Sequence, residues 1–259
     1  LVAPPLHDRF RRRAGMSKPQ SFPPLLDRNA ALFLDFDGTL SPLQDDPDAV
    51  FLEPGMDAIL MKISSMLGGA LAILSGRDLT DLSKRVPNAL WRFGNHGLRA
   101  AAPGHATTDK IPTAPDALVT SLITIVDSHT GVRLEEKGPV LAVHYRAAPD
   151  KGDELTRQLE DVLSRHSDYS LQSGKMVLEA KPSGANKGVC LQEAMETAPF
   201  AGRTPVMIGD DKTDEDAFLV ANRLGGWSVK VGDGDSAANY RLGSHHDVAA
   251  YLQQVLGDV

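Results

Sequence analysis

Three short apolar runs, each ending abruptly in acidic or hydroxyl-bearing residues, constrain this chain more than any other feature. Ala31-Leu32-Phe33-Leu34 runs into Asp35-Phe36-Asp37-Gly38-Thr39, and Ala70-Leu71-Ala72-Ile73-Leu74 into Ser75-Gly76-Arg77. Pro205-Val206-Met207-Ile208 runs into Gly209-Asp210-Asp211-Lys212-Thr213-Asp214-Glu215. Continuous apolar runs of this length suit buried strands of a parallel sheet. Ligands of such a sheet bind beyond the carboxyl ends of the strands, so the three tips would share one crevice. Between the second and third runs, Asn186-Lys187-Gly188 opens an expected helix and adds a cation.

The tip residues suit a phosphate ester. Asp35 and Asp37 are two positions apart, and Gly38 frees the backbone to turn. One carboxylate can then be the nucleophile and the next the proton donor, with a bound cation offsetting their repulsion. Taken alone, the pentad is equally a strand end followed by a polar turn. Nucleophile, acid, hydroxyl, lysine and a second acidic cluster occurring together favour the chemistry.

With 259 residues the chain can form one large domain or a core with an insertion. The formal net charge of −7 argues against nucleic-acid binding. A single cysteine, Cys190, excludes an internal disulfide, fits the cytoplasm, and reads as a packing residue rather than a nucleophile. No apolar run approaches a membrane span. Residues 1–28, with Pro4, Pro5 and the basic stretch from Arg9 to Arg13, are expected to be a disordered N-terminal extension.

Helices are expected over Met56 to Leu67, stopped by Gly68-Gly69, and over Asp78 to Arg85. A strand at Trp91 to Phe93 ends at Gly94-Asn95-His96-Gly97, and a linker follows to Pro115. From Asp116 to Lys181 the pattern changes to alternation. Helices near Leu118 to Val126 and Asp153 to Arg165 accompany strands Val132 to Lys137, Val140 to Arg146, Tyr169 to Gln172 and Lys175 to Ala180. The last two strands are expected to turn at Ser173-Gly174. Arg133, Glu135 and Lys137 share one strand face, His144 and Arg146 another, and Lys175 and Glu179 a third, each opposite apolar neighbours. The expected architecture is α/β: a doubly wound parallel core over 29–112 and 182–259, with an inserted α+β domain over 113–181. Its charged sheet face is either plainly solvated or a polar ligand surface.

These segments closely resemble the haloacid dehalogenase superfamily of phosphotransferases and, within it, the bacterial trehalose-6-phosphate phosphatases. The superfamily resemblance rests on Asp35-Phe36-Asp37-Gly38-Thr39, Ser75-Gly76-Arg77, Lys187 and Gly209-Asp210-Asp211. The family resemblance rests on Gly94-Asn95-His96-Gly97, Leu134-Glu135-Glu136-Lys137-Gly138, Ala142-Val143-His144-Tyr145-Arg146, Lys175-Met176-Val177-Leu178-Glu179 and Asn222-Arg223-Leu224-Gly225-Gly226. It covers nearly all of the chain from about residue 29.

That resemblance implies Asp35 as nucleophile, forming an aspartyl phosphate, and Asp37 as the acid that protonates the leaving sugar and then activates water. The neighbouring carboxylate and partial desolvation would keep Asp37 protonated for the first step. Mg2+ would bind the Asp35 carboxylate, the Asp37 backbone carbonyl and Asp210. Thr39, Ser75, Gly76 and Lys187 would serve the phosphate, with Asp211 and Asp214 orienting Lys187 or the metal's waters. The inserted domain would be a cap whose Glu135, Lys137, Lys175 and Glu179 bind sugar hydroxyls, joined by Arg77, Asn95, His96 and Arg146. Lys187 has the alternative of a helix-terminal surface lysine, His96 of a packed residue, and Arg77 of an interdomain salt bridge. The expected partner is a small sugar phosphate, with no nucleic acid and no membrane, and the expected state a cytoplasmic monomer. Rivals are another sugar phosphatase of the superfamily, such as a sucrose-phosphate or mannosyl-phosphoglycerate type, then a phosphomutase, and a non-catalytic sugar-phosphate sensor.

Overall fold

The structure, a computed structural model, describes residues 22–44, 46–106, 113–174, 176–184 and 186–257. In chain order the first elements are β1 (Ala30–Leu34), α1 (Met56–Met66), β2 (Leu71–Leu74), α2 (Leu79–Leu82), β3 (Trp91–Gly94) and β4 (Arg99–Ala101). Next come α3 (Asp116–Asp127), β5 (Arg133–Lys137), β6 (Val140–His144), α4 (Gly152–Leu163), β7 (Tyr169–Gly174) and β8 (Val177–Pro182). The chain then adds α5 (Lys187–Ala194), β9 (Thr204–Gly209), α6 (Glu215–Arg223), β10 (Trp227–Val231), β11 (Tyr240–Leu242) and α7 (His245–Gly257).

Seven strands form one sheet in the order β11-β10-β9-β1-β2-β3-β4, parallel except for β4. Every residue of β1 and β2 is buried, as their unbroken apolar runs require. The strand order switches direction at β1, with β2 and β3 on one side and β9 to β11 on the other. Leu34 is in register with Ile73 of β2 and with Ile208 of β9. The three polar tips therefore emerge level with one another at the switch point, where a crevice forms.

The second sheet, β5-β6-β8-β7, is antiparallel throughout. Leu141, Val143 and Leu178 turn inward from it onto Leu118, Leu122, Leu155 and Leu159 of α3 and α4, a separate apolar core. The alternation of the sequence thus becomes one packed and one polar face.

The structure corrects several boundaries. β4 lies within the stretch expected to be a linker, and β11 was not anticipated; at three residues each, neither carries a readable period. Helix α2 is only one turn, Leu79–Leu82, with Asp78 as its cap. Ser173 and Gly174 do not form the turn between β7 and β8 but pair with Leu178 and Val177 in the ladder, and Met176, just before β8, has φ of 61°. Val177, not Met176, thus begins β8. Of the expected extension, residues 1–21 lie outside the described residues. Its remainder packs: Leu26 is buried in the main core, and the Tyr251 hydroxyl of α7 donates to the Pro24 carbonyl at 2.8 Å. Cys190 is buried, and burial pushes its thiol up to about 12, in keeping with a packing role.

Candidate active site

Lys187 is the first residue of α5, whose start is fixed by Asn186: its Oδ1 accepts from the Gly188 and Val189 amides at 2.7 and 3.2 Å. From there the lysine turns into the protein. Its Nζ donates to Asp35 Oδ1 at 2.7 Å and to Asp214 Oδ1 at 2.6 Å, and the residue is 3% exposed. Burial disfavours its charge, but Asp214 and Asp35 outweigh that and hold its pKa above the ordinary lysine value. A surface lysine is excluded.

Asp214 is fully buried, and its second oxygen accepts the Asp210 and Asp211 amides at 3.0 Å each. Both its oxygens are committed to positioning Lys187 and the β9 tip. Asp211 in turn accepts from the Thr213 amide at 2.7 Å and so caps the turn that leads into α6.

The carboxylates of Asp35, Asp210 and Asp214 lie within 4.8 Å of one another. Burial drives Asp35 well above the usual carboxylate range, despite Lys187. Burial, then Asp214 and Asp211, pushes Asp210 up to about 7. Lys187 brings a single positive charge to three clustered carboxylates, whose donors are all hard oxygens, so a hard cation such as Mg2+ fits beside it. With Asp214 committed, Asp35 and Asp210 are the side chains open to it. Gly38 has φ of 80°, and a side chain there would collide with the Asp210 carboxylate at 2.1 Å, so the β1 and β9 tips can close only on glycine. Thr39 Oγ1 is buried without a hydrogen-bond partner among the described residues, a donor waiting for an acceptor. Ser75, at the β2 tip, is also buried, its Oγ accepting the Arg77 amide at 3.1 Å.

Two residues expected at the sugar have hydrogen-bond partners within the main domain. Arg77 forks onto Asp37, Nε to Oδ2 at 2.7 Å and Nη2 to Oδ1 at 2.6 Å, and reaches Asp81 at 2.9 Å. These pairings lie within the main sheet's own loops. Asn95, 1% exposed, accepts the Leu79 amide at 3.2 Å and so starts α2. Asp37 also departs from expectation: both its oxygens meet a cation, and its side chain is 30% exposed.

The family model described as trehalose-phosphatase matches residues 33–246, a span that contains every one of these crevice residues. The chain belongs to the trehalose-phosphatase family. It is 37% identical over 245 residues, 93% of this chain and 91% of the other, to the trehalose-6-phosphate phosphatase of Escherichia coli. It is 42% identical over 207 residues, 79% of this chain and 78% of the other, to a Sinorhizobium fredii protein named "Probable trehalose-phosphate phosphatase". Among solved structures, the C-terminal domain of a C. albicans trehalose-6-phosphate phosphatase superposes with a TM-score of 0.74 at 22% identity, covering 92% of this chain and 99% of that one. The C-terminal domain of a Candida albicans trehalose synthase regulatory protein gives 0.64 at 12% identity, covering 88% and 94%. These two likenesses show the fold alone. A haloacid dehalogenase-like hydrolase from Bacteroides thetaiotaomicron shares it too, with a TM-score of 0.64 at 16% identity, covering 86% of this chain and 98% of that one.

In this trehalose-phosphatase family member the polar face of the second sheet carries a connected network. Glu135 and Glu179 flank Ala142 in register across three strands, so both stand on the same face with a small residue between them. His144 Nε2 lies 2.7 Å from Glu135, Lys137 Nζ 3.8 Å from Glu135 and 3.4 Å from Glu179. Glu179 then meets His96 Nε2 of the main domain at 3.5 Å. Burial works against the Glu179 charge, but His96 and Lys137 win and bring it down to about 2. Burial holds His96 below the usual imidazole range, Glu179 opposing only in part. His96 is thus both packed, against Gly76, and in contact across the domains.

Arg146 lies exposed beyond the end of β6, and Lys175 lies outside the described residues. The sequence reading missed three residues. His144 joins the network through the alternation already noted for it. Lys230 of β10, 7% exposed, donates its Nζ to the Asp210 carbonyl, a pairing that no local pattern could announce. Lys181, at the end of the polar face, is kept below the ordinary lysine range by burial.

Proposed function

We propose that this chain hydrolyses trehalose 6-phosphate to trehalose and phosphate, with Asp35 as nucleophile. The observation that carries the reading is Lys187, buried and shared between Asp35 and Asp214 at the switch point, in a chain of this family. Asp35 attacks phosphorus in line and forms an aspartyl phosphate while the phosphorus–sugar oxygen bond breaks. Asp37, released from Arg77 and protonated from solvent, gives that proton to the sugar oxygen, then takes a proton from the water that hydrolyses the acyl phosphate. Lys187, Ser75, the Gly76 backbone and the unpartnered Thr39 hydroxyl hold the phosphoryl oxygens. The Asp35 carboxylate, the Asp37 main-chain carbonyl and Asp210 would hold Mg2+, which neutralises repulsion between the Asp35 carboxylate and the phosphate dianion.

Residues 113–181 act as a cap on a core of 29–112 and 182–259. The cap's Glu135, Lys137 and Glu179 bind sugar hydroxyls, and the His96–Glu179 contact marks where cap and core meet over the crevice. A silent sensor is the rival, since a regulatory protein shares the fold. The complete set of Asp35, Asp37, Lys187 and Asp210 supports turnover instead. A small polar substrate and a reduced thiol suit a cytoplasmic monomer. Phosphate release from a panel of sugar phosphates, with Mg2+ and with chelator, tests the reading. Release from trehalose 6-phosphate that chelator abolishes is expected. No release from any member of the panel would leave the sensor, and preference for another sugar phosphate would move the substrate.

A further inference from the structure

Outside the crevice, one carboxylate oxygen of Glu53 and one ring nitrogen each of His245 and His246 lie within 4.8 Å of one another. Glu53 lies in the loop that leads into α1, and the two histidines open α7. The start of α7 is fixed by Ser244, whose Oγ exchanges hydrogen bonds with the Asp247 amide and carboxylate at 3.4 and 3.1 Å. His245 Nε2 and His246 Nδ1 both stand 3.4 Å from the same oxygen, Glu53 Oε1.

That spacing is long for a charge-assisted hydrogen bond, which runs at about 2.7–2.9 Å. It matches the donor-to-donor edge of a tetrahedral site, about 3.3–3.4 Å for ligands about 2.0–2.1 Å from zinc. The two rings are 4.0 Å apart, tilted by 39°. Two imidazoliums so close would repel, and one carboxylate oxygen gives no reason for both to converge. A metal ion gives that reason, because neutral imidazole nitrogens are donors to it.

We propose that Glu53, His245 and His246 form a second metal site, selective for a borderline transition-metal dication of the zinc class. The fourth position opens to solvent, since the His246 side chain is 69% exposed and that of Glu53 39%. Two nitrogens and one oxygen favour zinc over magnesium, whereas Asp35 and Asp210 offer oxygen alone. The ion would tie α7 to the loop that returns from the β1 tip, where the Ser41 hydroxyl already holds the Phe51 carbonyl at 2.8 Å.

Co2+, added to the full chain in saturating Mg2+, is the probe. One equivalent should bind with the intense visible absorption of tetrahedral cobalt and be displaced by Zn2+. His246→Ala and Glu53→Gln should each weaken binding by at least about tenfold, the loss that even a ligand's supporting partner causes. His129→Ala should leave binding intact, and phosphatase turnover in Mg2+ should be unchanged in His246→Ala. Zn2+ should raise the melting temperature of the parent chain and not of His246→Ala. The site is overturned if no cobalt binds in the presence of Mg2+, or if His246→Ala and Glu53→Gln bind it as tightly as the parent.

Discussion

Arg77 grips both carboxylate oxygens of Asp37, at 2.7 and 2.6 Å, and is itself anchored to Asp81, which Arg85 also holds at 2.9 and 2.7 Å. The acid of the proposed reaction is therefore parked against a fixed guanidinium and must leave it to reach the sugar oxygen. Asp37→Asn should fold normally and lose about 10²- to 10⁴-fold in turnover, the usual worth of a positioned proton donor. The loss should shrink for an aryl phosphate whose leaving group needs no proton. A few-fold effect on both substrates would place the acid elsewhere.

Removing the grip is the complementary experiment. Arg77→Ala should lower turnover by about 10- to 100-fold through misplacement of Asp37, and Arg77→Lys should not restore it, because an ammonium cannot fork onto two oxygens. Steady-state kinetics of the two variants decide this: full rescue by lysine would reduce Arg77 to a point charge.

Asp35→Asn should abolish turnover, since an amide is a far weaker nucleophile and metal ligand. Rapid quench of the parent chain with labelled substrate should trap a phosphorylated enzyme that the variant never forms. Label retained in Asp35→Asn would assign the nucleophile to another residue.

Lys187→Met should cost about 3–5 kcal/mol of stability, because it leaves the Asp35 and Asp214 carboxylates buried beside each other without their shared cation. Urea unfolding in chelator measures this directly. A loss below about 1 kcal/mol would mean that the carboxylates simply take up protons.

Specificity should reside in the polar face of the cap. Glu179→Ala and Lys137→Ala should depress hydrolysis of trehalose 6-phosphate strongly while leaving a small aryl phosphate nearly untouched, because sugar hydroxyls pair with groups the aryl ester never meets. The ratio of the two activities is the readout. Equal losses would assign these residues to folding instead.

Much of this was legible before any coordinates. Unbroken apolar runs demanded a buried parallel sheet, and the carboxylates and hydroxyl at their ends, with a lysine opening a helix between two of them, pointed to phosphate as the ligand. Period-two alternation separated the second sheet and its polar face, because side-chain direction follows from backbone pleating within a single strand. Tertiary structure decided which polar residues look outward and which are spent internally. Arg77 and Asn95 carry the chemistry of sugar ligands, yet strand register sets one against Asp37 and the other against the start of α2. Lys230 reaches the Asp210 carbonyl from a neighbouring strand, and His96 meets Glu179 from another domain. Such pairings join residues far apart in the chain, so they depend on register and domain placement, which local periodicity does not encode.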